Sequence, residues 1–202
     1  MKKIPIYFVP GLAASPEIFE HLELSPDKYT FHYLKWIEPL NLEENITSYA
    51  KRMSDAIKEE KPVLIGVSFG GIMVQEISKH IDVKKIIIIS SVKTSNELPK
   101  RYKMAKITKA YKLFPTSLVT NFENYAKYFL GKPLKKRAEI YKKYLSVRGK
   151  TYLNWSISNV LNWKQEKPLE KIIHIHGTKD HIFPIRYIKN AIEINGGTHI
   201  MI

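Results

Sequence analysis

The chain has no cysteine. That excludes a disulfide framework, a thiolate metal site, an iron–sulfur centre and a cysteine nucleophile. No stretch approaches the roughly 18 apolar residues of a membrane-spanning helix. There is no internal repeat and no low-complexity tract, and aspartate is missing between Asp82 and Asp180. Acidic residues are scarce in one segment: positions 92–150 hold 16 basic and three acidic side chains. Residues 1–91 hold 11 and 12, and residues 151–202 hold six and four. The net charge of +14 therefore sits almost wholly in the middle segment.

What is present suits one soluble domain. A chain of 202 residues is long enough to bury a core without disulfides or metals. Hydrophobic residues make up 44% and charged residues 26%, which fits a globule rather than a disordered tail. The start, with two lysines and an apolar run, has the outline of a leader peptide. Pro5 interrupts that run and Pro10-Gly11 ends it, short of the roughly 7–15 apolar residues a leader needs. It reads as a buried strand, and the expected location is the cytoplasm.

Residues 4–9, 62–67, 84–89 and 171–176 are short apolar runs that end at turn residues. Such runs predict a parallel sheet covered on both faces. Residues 29–36 alternate and suit a strand nearer an edge, and 191–194 make a weak last strand. Helices fit between them. Ser15-Pro16-Glu17 has the residues of a helix start, and Asn41 with Glu44 is another. Ile46, Tyr49, Met53 and Ile57 form an apolar stripe at helical spacing, and 70–80 follows its strand directly. The alternation predicts an α/β, doubly wound, mostly parallel sheet. From 92 to 167 no strand is evident. Residues 99–113, 121–130, 133–147 and 151–164 read as short helices, a helical insertion between two sheet strands.

The chemistry gathers where strands end. Gly66-Val67-Ser68-Phe69-Gly70 is a Gly-x-Ser-x-Gly at a strand end and a helix start, the setting of a nucleophile elbow. A random chain of this length shows that pattern about one time in fifteen, so the setting carries the weight. A serine nucleophile needs a base, and the base needs an orienting acid. Asp180 follows strand 171–176 and His199 follows the last strand, in the order this architecture uses. Glu97 is the rival acid in the loop after 84–89. The Phe69 N–H supplies one oxyanion donor, and the loop after strand 4–9 supplies the second, from Leu12 ahead of Ala13.

With these motifs the chain resembles the α/β-hydrolase superfamily over essentially its whole length. The carriers are Val9-Pro10-Gly11, the glycine-flanked turn at 66–71, His176-Gly177-Thr178-Lys179-Asp180 with Pro184, and Gly196-Gly197-Thr198-His199. The resemblance implies Ser68, Asp180 and His199 as a catalytic triad. It implies a core of residues 1–91 and 168–202 and a cap of residues 92–167. Many members carry His-Gly where this chain has Pro10-Gly11. That histidine braces the loop rather than reacting. The expected activity is hydrolysis of a small carboxylic ester or thioester through an acyl-enzyme, with no cofactor and no metal. Two alternatives stay open: a binding protein on the same fold, and an acyltransferase on the same triad.

Each residue also has a plainer use. Ser68 fits a tight turn, Asp180 could cap the 184–189 helix or the turn before it, and His199 could be a surface polar residue. His174 and His176 share a strand face, which suits packing better than a metal pair, with His176 steadying the acid loop. His181 reads as solvent-facing. Trp155 and Trp163 read as packing residues, with lining of an acyl pocket as the alternative, and Glu38, before Pro39, could reach a pocket rim but is not counted among the site residues. The basic segment fits a solvated face, attraction of an anionic substrate or membrane surface, or nucleic acid. No nucleic-acid motif accompanies its lysines, so no specific nucleic-acid partner is expected. Any such binding would be weak and steeply salt-dependent.

Overall fold

The apolar runs pair into one sheet in a computed structural model, which describes residues 2–102, 104, 144, 147 and 149–202. The strands are β1 (Ile4–Val9), β2 (Tyr29–Tyr33), β3 (Val63–Val67), β4 (Lys85–Ile89), β5 (Ile172–Gly177) and β6 (Ile192–Ile194). Their order is β2-β1-β3-β4-β5-β6, and every neighbouring pair is parallel. Val9 pairs with Gly66, Val67 with Ile89, and Gly177 with Ile194. The loops that follow β1, β3, β4 and β5 therefore open at one edge of the sheet. In parallel α/β sheets that edge is where ligands bind.

The alternation along each strand splits the core in two. Tyr7, Val9, Leu64, Ile86 and Ile88 face a cluster built with the helices α1 (Ile46–Ser54), α2 (Phe69–Ile77) and α3 (Lys150–Asn162). Ile6, Phe8, Ile65, Val67 and Ile89 face a smaller cluster with Phe19. Each fully buried aliphatic side chain contributes about 1.5–3 kcal/mol by leaving water. No described helix is long and apolar enough to cross a membrane.

Several boundaries differ from the sequence expectation, each for a local reason. The strand expected over 29–36 stops at Tyr33, because the chain then turns to carry Trp36 toward Gly11. Asn41 does not start α1. Its Oδ1 accepts from the Glu43 N–H in a tight turn, and Glu44 Oε2 accepts from the Leu40 N–H. The cap is Asn45, whose side chain accepts from the Ser48 N–H at 2.8 Å. The stripe Ile46, Tyr49 and Met53 is buried as expected, while Ile57 lies past the helix end. Ser15-Pro16-Glu17 starts only a 3-10 turn, Pro16–Phe19, and Ser15 makes no side-chain cap bond. The helix expected over 70–80 runs from Phe69 to Ile77. The one expected over 184–189 is a 3-10 turn, Ile185–Tyr187.

In the segment expected to form the insertion, the helix expected over 151–164 is present as α3, Lys150–Asn162, and a 3-10 turn covers Ser95–Glu97. The expected helix 121–130 lies outside the described residues, as do most of 99–113 and 133–147. Trp155 is fully buried, stacks on Tyr49 at 4.1 Å, and donates from Nε1 to the Glu44 carbonyl at 2.6 Å. Trp163 donates to Glu76 Oε1 at 2.8 Å, and Glu76 Oε2 also accepts from Thr47 Oγ1 at 3.0 Å. This buried carboxylate ties α1 and the residue after α3 to α2, the helix that begins at the elbow.

Candidate active site

Ser68 sits between β3 and α2 with φ 54° and ψ −118°, backbone angles that an L side chain adopts only under strain. Close approach enforces the turn. A Cβ on Gly66 would lie 2.2 Å from the Gly70 carbonyl oxygen, and one on Gly70 would lie 2.2 Å from the Val9 oxygen. Only glycine fits at either position. The Ser68 N–H donates to the Ile89 carbonyl at 2.9 Å. The Ser68 carbonyl accepts from the Gly71 N–H at 3.0 Å and from Ser91 Oγ–H at 2.7 Å. The side chain is thus presented at the positive end of α2, where a developing anion is favoured.

The loop after β5 and the stretch after β6 bring Asp180 and His199 to the same place. Ser68 Oγ lies 2.9 Å from His199 Nε2, and His199 Nδ1 lies 2.8 Å from Asp180 Oδ2. Asp180 is buried, and its Oδ1 accepts from the Ile182 and Phe183 N–H groups at 2.8 and 2.9 Å. Burial alone pushes its carboxyl up. The hydrogen bond and charge of His199, helped by the Phe183 amide, outweigh burial and hold it below the usual carboxylate range. Ionised Asp180 can only accept, so the His199 proton sits on Nδ1 and the Nε2 lone pair faces Ser68. Rival Glu97 is engaged elsewhere, accepting from the Lys93 and Lys189 N–H groups.

Behind the acid lie the two strand histidines. His176 Nε2 donates to the Phe183 carbonyl at 2.8 Å and lies 3.4 Å from Asp180 Oδ2. Its Nδ1 then accepts from His174 Nε2–H at 3.1 Å. Burial, with the neighbouring His176 and Lys93, lowers the His174 pKa to about 3, so that ring stays neutral. Asp180 thus caps the turn before residues 184–189 and also faces His199. His181 is exposed.

The loop after β1 completes the group. A Cβ on Gly11 would lie 3.6 Å from Ser68 Cβ, so this loop lies against the serine. Ala13 takes φ 62°, and its carbonyl accepts from the Val147 N–H at 3.0 Å. Among the described residues, neither the Leu12 nor the Phe69 N–H is taken up by the turns around it. Arg101 donates to the His181 and Ile182 carbonyls at 2.6 and 3.0 Å, and Tyr102 meets Phe183 edge-on. The segment after β4 therefore clasps the acid loop.

Sequence reasoning passed over Trp36, whose Nε1–H donates to the Gly11 carbonyl at 3.0 Å, and Ser91, which holds the Ser68 carbonyl. Neither carries a motif. Both act on main-chain carbonyls of loops distant in sequence, which only the strand order brings near. Glu38 approaches Gly149, where an added Cβ would lie 2.8 Å from its Oε1.

No family model matches the chain, and no curated protein does. Solved structures do. A protein described as a non-heme bromoperoxidase from Mycobacterium tuberculosis H37Rv superposes with a TM-score of 0.66 at 10% identity, over 99% of this chain and 86% of that one. An alpha/beta hydrolase fold protein from Burkholderia ambifaria gives 0.63 at 14%, over 98% and 85%. A lipase-esterase related protein from Clostridium acetobutylicum gives 0.62 at 16%, over 97% and 87%. A six-stranded parallel sheet, the strained serine turn after β3 and these superpositions agree: the chain has the α/β-hydrolase fold.

Proposed function

We propose that the protein is a serine hydrolase that cleaves a small carboxylic ester or thioester. The observation that carries this reading is the unbroken hydrogen-bonded run from Asp180 Oδ2 through His199 to Ser68 Oγ, at 2.8 and 2.9 Å. His199 Nε2 takes the Ser68 proton as Oγ attacks the substrate carbonyl carbon. Asp180 holds the tautomer and stabilises the imidazolium. The Leu12 and Phe69 N–H groups receive the charge that builds on the carbonyl oxygen. His199 then gives its proton to the leaving alcohol or thiol. Water, deprotonated by His199, attacks the acyl-enzyme and releases the acid. The reading divides the chain into a core of residues 1–91 and 168–202 and a cap of residues 92–167.

Labelling with a fluorophosphonate, mapped by intact mass and peptide analysis, tests the reading without a known substrate. One adduct on Ser68, absent in Ser68→Ala and in His199→Ala, is the expected result. Full esterase turnover by purified Ser68→Ala would overturn it.

A further inference from the structure

Trp36 belongs to no motif, yet it touches both halves of the proposed oxyanion site. Its ring is 9% exposed and stacks on Phe69 at 5.1 Å and 17°. Tyr152 and Tyr49 close around it at 5.5 and 6.5 Å. Its Nε1–H donates to the Gly11 carbonyl at 3.0 Å, in a buried bond. That carbonyl and the Leu12 N–H are opposite ends of one planar trans peptide, since no peptide bond among the described residues is cis. A donor that fixes the direction of the oxygen therefore fixes the direction of the hydrogen. The Ala14 N–H donates to the same oxygen at 3.0 Å, which fills both its acceptor positions. Withdrawal of charge toward Trp36 also polarises the Leu12 N–H, as in any hydrogen-bonded chain.

We infer that Trp36 is a positioning residue that aims the Leu12 N–H at the developing oxyanion, beside the Phe69 N–H. The inference rests on the serine-hydrolase reading. Trp36 acts through the Gly11–Leu12 peptide, with its ring held against Phe69, and not on the substrate.

The test compares Trp36→Phe, which keeps a ring and removes the N–H, with the native chain. Removing an oxyanion donor outright costs about 10²–10³ in turnover; with Ala14 still holding the carbonyl, a loss of about 10–100-fold is expected. The fluorophosphonate labelling rate and the kcat on an ester that the native protein turns over should both fall by that factor. KM should stay within about twofold, because the donors act on charge made in the transition state. The pH profile should keep its shape, since the Asp180–His199–Ser68 run is untouched, whereas a disturbed triad would change it. If Trp36→Phe fails to fold, replacing Trp36 with 3-benzothienylalanine, which puts sulfur where the N–H was, gives the same readout in a ring of the same shape. Native protein that labels, with variants that label at the native rate, overturns this inference alone. So does a rise in KM at constant kcat. Native protein that takes no adduct overturns the hydrolase reading and this inference with it.

Discussion

Asparagine at position 180 would separate two jobs that one carboxylate does. Oδ1 accepts from the Ile182 and Phe183 N–H groups at 2.8 and 2.9 Å, and Oδ2 faces His199 Nδ1 at 2.8 Å. In Asp180→Asn the amide oxygen keeps the two backbone donors, and the NH2 group meets His199. Two donors cannot share a bond, so the imidazole proton moves to Nε2 and the lone pair that faces Ser68 is lost. The expected loss in kcat/KM is about 10⁴-fold, the size found when a triad carboxylate becomes an amide. That corresponds to about 5.4 kcal/mol of transition-state stabilisation. The fold should hold, because the loop keeps its acceptor. Asp180→Ala removes that acceptor as well. Phe183 is only 3% exposed, so its orphaned N–H should cost about 1–3 kcal/mol. The assay pairs the fluorophosphonate labelling rate with urea unfolding for both variants. A labelling loss under about tenfold in folded Asp180→Asn would refute the tautomer argument. Equal stability of the two variants would refute the account of Oδ1.

The strained elbow predicts that Ser68→Gly is more stable than Ser68→Ala by about 1 kcal/mol, since both lack the hydroxyl and only glycine relaxes at φ 54°. Equal unfolding midpoints would contradict that strain. His174 predicts acid sensitivity. Its folded pKa, about 3, lies below the ordinary histidine value, so the unfolded chain binds the extra proton as pH falls. Stability should drop by up to about 1.4 kcal/mol per pH unit from about pH 6.5 downward, with the full contribution present above that. In His174→Phe this part of the slope should vanish; parallel unfolding curves for the two proteins between about pH 4.5 and 7 would sink the prediction.

The strand-ending motifs were legible because their constraints are local. Gly66 and Gly70 must lack a Cβ wherever this turn occurs, and the turn announces itself within five residues. The uniform apolar runs of β1, β3, β4 and β5 marked them as strands of a parallel sheet covered on both faces, while their order in that sheet came only from the structure. Helix starts were less legible. Asn41 and Asn45 have the same chemistry, and only the fold decides which one turns the chain and which one caps. Glu76 carries no motif, and only the structure shows it 1% exposed between Thr47 and Trp163. Trp36 was invisible for the same reason: its partner is a carbonyl, and every residue has one.

The distance along the chain between Ser68 and His199 has a consequence for synthesis. Ser68 and His199 meet across 131 positions, and Asp180 joins from the same late stretch. While the first part of the chain leaves the ribosome, Ser68 has neither partner and is an ordinary alcohol. On the serine-hydrolase reading, a chain released only as far as Ser68 lacks the base that would activate it. Because β4 must wait for β5 and β6 to complete the sheet, reactivity and the final parallel pairings would switch on together.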